Sequence, residues 1–172
     1  MKVKILRTED GELIDGEISE AKNKSINLPS ISDHWRFNFK KHSQNKNTKT
    51  YILTLDHEEI IEGCLIFEMR DKVEPYMAYI EVAPHNKGKW KKLDRVAGCL
   101  IAFASRLSFI YGKKDYTGWL TFDVKEETGE ERDKLMAVYS EKYKAVRIND
   151  TTIMFISPEN GEWLINEYLN VR

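Results

Sequence analysis

Apolar and polar positions change period several times along the chain, and the changes outline its elements. Residues 1–7 alternate apolar and basic side chains, as a short edge strand does. Asp10-Gly11 and Asp15-Gly16 read as turns around it. Residues 19–50 are polar and irregular, broken by Pro29 and by a polar run over 42–49. Within them Trp35, Phe37 and Phe39 alternate with Arg36, Asn38 and Lys40. That alternation suits a strand or an aromatic-rimmed loop that carries specificity, and it equally suits three aromatics anchoring a long loop to the core. Residues 51–55 and 60–69 read as strands joined across Asp56-His57-Glu58-Glu59. The second is apolar on both faces from Cys64 to Phe67, so it is expected at the centre of a sheet.

The most informative stretch comes next. Residues 76–83 form an apolar strand broken at Pro84, followed by a loop with Lys87, Lys89, Lys91, Lys92 and Arg95. An apolar helix begins at about Val96 and runs to Tyr111, with Gly112 as its stop. A strand is expected over 119–124 and a helix over 126–144, acidic at its start as the helix dipole favours. A hairpin over 146–156 turns at Asn149-Asp150, and Ser157-Pro158 caps a last amphipathic helix. Strands, helix, strand, helix, two strands and a helix make an α+β chain, a mixed sheet with helices on both faces.

A strand that feeds a cationic loop opening a helix is suited to an anion. The first amides of a helix have no partner within it, and its dipole places about half a positive charge there. Val96 and Ala97 offer such amides, and Gly98, without a β-carbon, would let an anion approach the first turn. An ordinary crossover with a solvated basic loop fits the same residues.

Composition narrows the picture. The 172 residues suit one domain over 1–172, and 41% hydrophobic with 32% charged residues is the balance of a soluble globular protein. A net charge of -1 gives no bulk attraction to nucleic acid or to an anionic membrane, and only Trp90 interleaves the basic loop with an aromatic. Cys64 and Cys99 lie in apolar runs, as reduced core residues do. His34, His42, His57 and His85 have no metal-ligand spacing, so no metal is expected. His85 follows Pro84 directly and fits either a proton path or a solvated loop. Residues 1–7 lack a signal-type apolar region, and the apolar run over 96–104 is too short to span a bilayer; a cytoplasmic enzyme or binding domain is expected.

Two segments carry a resemblance. Glu81-Val82-Ala83-Pro84 followed by Arg95-Val96-Ala97-Gly98-Cys99-Leu100-Ile101 resembles the acyl-CoA-binding core of the GNAT family of N-acetyltransferases. Residues 138–145, Val-Tyr-Ser-Glu-Lys-Tyr-Lys-Ala, resemble that family's Phe-Tyr-x-Lys-x-Gly-Phe helix end. The resemblance covers 51–156, leaving 1–50 as a variable region and 157–172 as a C-terminal helix. It implies a GNAT-like, mostly antiparallel mixed sheet flanked by helices on both faces, and transfer of acetyl from acetyl-CoA to a primary amine by direct attack in a ternary complex. It places the cofactor against Val82, Ala83, Gly88, Lys89, Arg95, Val96, Ala97, Gly98 and Cys99. Leu93 and Val96 stand where the family has Arg/Gln and Gly, which leaves open how the pyrophosphate is held, with Gly88 or Arg95 of this longer loop as the candidates to replace them. Dimers are common in the family, which makes a homodimer an expectation.

The chemistry needs a base for the amine, a donor for the oxyanion and an acid for the leaving thiolate. Glu81, an acid on an apolar strand beside the loop, is the base candidate, since burial would strengthen it near neutral pH. Pointing outward, or pairing with a nearby lysine, is the alternative. A main-chain amide near Val82 is the oxyanion donor. The resemblance makes Tyr139 the acid, although its spacing to Leu135 and Tyr143 also suits a core aromatic. A GNAT-shaped binding or regulatory domain without chemistry is the competing function.

Overall fold

Among the described residues, nine strands form one sheet in the order β6-β1-β2-β3-β4-β5-β7-β9-β8. The computed structural model describes residues 1–22, 26–125 and 128–171. In chain order the elements are β1 (Lys2–Arg7), β2 (Leu13–Glu20), the one-turn α1 (Phe39–His42), β3 (Thr48–Leu55), β4 (Ile61–Arg70) and β5 (Glu74–Val82). They continue with β6 (Leu93–Asp94), α2 (Val96–Tyr111), β7 (Leu120–Asp123), α3 (Gly129–Tyr143), β8 (Val146–Arg147), β9 (Ile153–Ile156) and α4 (Pro158–Tyr168). Every strand pair is antiparallel except β5 with β7, whose parallel pairing requires the crossover that α2 supplies.

Side-chain alternation sorts the core onto two faces. Leu65, Phe67 and Met77 point to one face and pack with Leu100 and Ala104 of α2 and Leu164 of α4. Cys64, Ile66 and Tyr76 point to the other and pack with Trp35 and Phe39. The central strand β4 is therefore buried on both sides, which explains its unbroken apolar run. Each fully buried Leu, Ile or Phe of this kind contributes about 1.5–3 kcal/mol. The helix α2 is apolar around most of its circumference because sheet and α4 enclose it.

Three segments bear on the sequence expectation. Asp15-Gly16 is not a turn: Gly16 lies inside β2, where a β-carbon would stand 3.1 Å from the Thr54 carbonyl oxygen and 3.3 Å from Ile5. The aromatic triplet is a loop running into α1, with Trp35 and Phe39 buried, so these residues act as anchors. The helix expected from Glu126 is described from Gly129, capped by the Thr128 hydroxyl, which accepts from the Glu131 N–H; residues 126 and 127 lie outside the described residues. Among the described residues, no helix is long and apolar enough to cross a membrane.

Candidate active site

The site begins where two strands part. β5 and β7 pair only at Tyr76 with Thr121 and at Met77 with Phe122. Just beyond, the register between β4 and β5 shifts, pairing Ile66 with Tyr79 but Phe67 with Met77, so Ala78 forms a bulge. A bulge bends its strand and ends pairing, which opens β5 away from β7. The Ala83 N–H donates to the Glu62 carbonyl at 2.8 Å, toward β4. Antiparallel alternation then turns the Val82 and Ile80 N–H groups the opposite way, into the opening.

A cavity of about 300 Å³ lies between this end of β5 and the helices α2 and α3, lined by Ile80, Glu81, Val82, Lys87, Ala97 and Tyr139, among others. The strand supplies Glu81, α2 supplies Ala97, and α3 supplies Tyr139. Tyr139 is half-buried, its ring 4.9 Å from Phe122 and 6.1 Å from Tyr143. Lys144, which ends α3, adopts φ 59°, the left-handed conformation a glycine would occupy in the resembled helix end.

Glu81 is buried, and its carboxylate is engaged. One oxygen accepts from the Arg36 N–H at 2.8 Å and the other from the Phe37 N–H at 3.0 Å. Lys87 adds its ammonium to the first oxygen. The carboxylate thereby fastens the aromatic loop to β5. Glu81 is buried, as the base reading expects, and pairs with a nearby lysine, as the alternative expects. The sequence admits a lysine partner without saying which of the loop's lysines it is, and it carries no signal for the amides at 36 and 37.

The start of α2 offers donors. The first α2 amide with an acceptor is Cys99, which donates to the Arg95 carbonyl at 2.8 Å. Among the described residues, no acceptor lies against the amides of Val96, Ala97 and Gly98. Asp94 stands beside them: its carboxylate accepts from the Arg95 N–H at 2.7 Å, and the ammoniums of Lys91 and Lys142 lie at 2.9 and 3.6 Å. Burial pushes the Asp94 carboxyl up, but the bonds from Lys91 and the Arg95 amide, with the charge of Lys142, outweigh it and hold it below the usual range.

The sequence-predicted cofactor residues divide into groups. Val82 and Ala97 share the cavity with both catalytic candidates. Ala83 is buried in the second core cluster. The Arg95 side chain donates to the Glu167 carbonyl at 2.6 Å and lies 4.9 Å over the Tyr168 ring. The Cys99 thiol is buried, which pushes it up to about 12. Gly98 is a packing position: a β-carbon there would stand 2.1 Å from the Tyr168 ring, so its smallness admits α4. Gly88 turns the exposed loop at φ 73°, and Lys89 lines a separate groove of about 940 Å³ with His85 and Trp90. In that groove His85 pairs with the buried Glu62 at 2.6 Å. The larger groove does not contain Glu81 or Tyr139.

No protein-family model matches the chain, and no curated protein matches it in sequence. Solved structures do match. The chain is similar to the AtaTR complex bound with AcCoA, at 12% identity over 87% of this chain and 98% of that one, with a TM-score of 0.58. It is similar to a mutant of KacT, at 9% identity over 87% and 98% of the two chains, TM-score 0.56. It is also similar to a chimera of the Vibrio cholerae spermidine N-acetyltransferase SpeG, at 13% identity over 86% and 98%, TM-score 0.51. Identities this low speak to architecture alone. The chain has the fold of the GNAT N-acetyltransferases.

Proposed function

We propose that the protein is an acyl-CoA-dependent N-acyltransferase of the GNAT family that moves acetyl from acetyl-CoA to a primary amine by direct attack in a ternary complex. The observation that carries this reading is the shared cavity: where β5 leaves β7, Glu81, Tyr139 and the outward amides of the strand meet beside the donor-rich start of α2. The AcCoA bound in a structurally similar protein supports acetyl-CoA as the donor.

The residues divide the work. Val96, Ala97 and Gly98 present amides to the phosphates. The Val82 N–H faces the thioester oxygen as it gains charge, where a preorganised donor is worth most. Glu81 accepts the amine proton once the acceptor's ammonium has displaced that of Lys87, and Tyr139 returns a proton to the leaving sulfur. Holding donor and acceptor together in the opening supplies the largest share, on the order of 7–11 kcal/mol for well-oriented partners.

Two measurements test this. Isothermal titration with acetyl-CoA should give saturable binding, and a thiol-release assay across a panel of primary amines should find at least one acceptor. Absence of binding at high micromolar acetyl-CoA would favour a GNAT-shaped domain that does no chemistry.

A further inference from the structure

Lys87 brings a primary amine into the candidate site from within the chain itself. Its ammonium pairs with Glu81, and it lines the same cavity as Val82 and Tyr139. The partners differ in setting: the Glu81 side chain is 5% exposed and that of Lys87 43%. A partly exposed lysine side chain therefore brings its ammonium to a buried carboxylate, the placement a substrate amine needs. Its loop neighbours are engaged elsewhere, Lys89 over the Trp90 ring at 5.4 Å and Lys91 with Asp94 at 2.9 Å. Neither lines this cavity.

We propose that Lys87 is an acetyl acceptor of this protein's own active site, an inference that rests on the acetyltransferase reading above. The ammonium gives one proton to Glu81, and the freed nitrogen attacks the thioester carbonyl of acetyl-CoA. The new C–N bond forms and the C–S bond breaks. The nitrogen's second proton replaces the one Tyr139 gives to the departing sulfur, so the products are Nε-acetyl-Lys87, the CoA thiol and one proton released to solvent. Nothing is oxidised or reduced. Acetylation removes the lysine charge and so unties Glu81. Unmodified Lys87 competes with external acceptors for the carboxylate, and the acceptor chemistry it mimics is a primary amine on an unbranched alkyl chain.

The test incubates the full chain with acetyl-CoA labelled in its acetyl group and maps the label by peptide mass spectrometry. Label is expected on Lys87, with a rate per molecule that does not change on dilution of the protein. Tyr139→Phe should slow it by about 100-fold. Lys87→Arg, which keeps the charge, should remove the label from that peptide. Label scattered over surface lysines at a rate indifferent to Tyr139→Phe would overturn the proposal. So would an unlabelled Lys87 in a protein that binds acetyl-CoA and acetylates a free alkylamine, and that outcome leaves the acetyltransferase reading standing. Failure both to bind acetyl-CoA and to modify any amine would overturn that reading, and the Lys87 proposal with it.

Discussion

Glu81 and Tyr139 answer to different physics, and their substitutions should separate. Tyr139 is half-buried beside Phe122 and keeps its ring packing when the hydroxyl is removed. Tyr139→Phe should lower turnover by about 100-fold, the low end for a lost general acid, and should cost less in thermal midpoint than truncation to alanine. Steady-state rates and a melting curve on the same preparation check it. Glu81→Gln is less clean. Its amide can accept through one oxygen only, so an NH₂ group would confront the N–H of Arg36 or Phe37. We expect a loss of about 1–3 kcal/mol of stability in urea unfolding as well as a loss of turnover, because a buried donor is left without its acceptor. The sequence marks Glu81 as a lone acid on an apolar strand. It does not reveal the two amides that bind it, since they arrive from a loop about 45 positions away.

At the scale of elements, local periodicity was most legible where one strand or helix is buried on all sides. β4 and α2 are clear in the sequence for that reason: each holds an unbroken apolar run, over 63–67 and 96–104. β2 was hidden because Gly16, placed there by the close approach of Thr54 and Ile5, looks like a turn residue next to Asp15. β6 was hidden because it is two residues long and exists only through its pairing with Leu6 and Arg7. Gly98 illustrates the same limit for the site. Its position at the start of α2 suggests an approaching anion, whereas the atom it excludes a β-carbon for belongs to Tyr168 in α4. Gly98→Ala should therefore act first on the α2–α4 interface. Overpacking of this kind costs about 1–3 kcal/mol, and urea unfolding should show it with no ligand present. An unchanged unfolding midpoint would mean that α4 can shift to make room.

At the scale of the whole molecule, Asp94 ties together parts that the sequence keeps apart. It extends the sheet edge opposite Leu6, receives the Arg95 N–H at the start of α2, and pairs with Lys91 of the basic loop and Lys142 of α3. Its carboxyl sits lower in the folded protein than in the unfolded chain. The sign follows from linkage: the charged form stabilises the fold fully above the unfolded value of about 3.9, and that contribution is lost as pH falls through the folded value. Asp10 and Asp15 are lowered too, by the side-chain hydrogen bonds of Arg7 and Lys4, but they lie on the surface and salt screens them. At moderate salt, Asp94→Asn should therefore be less stable than the parent at neutral pH. The gap should narrow below about pH 4, as protonation takes the charge from the parent as well. Urea midpoints for both proteins across that range measure it. A gap that stays constant into acid would place the stabilisation in the shape of the side chain, and the electrostatic junction between sheet edge, loop and helices would have to be abandoned.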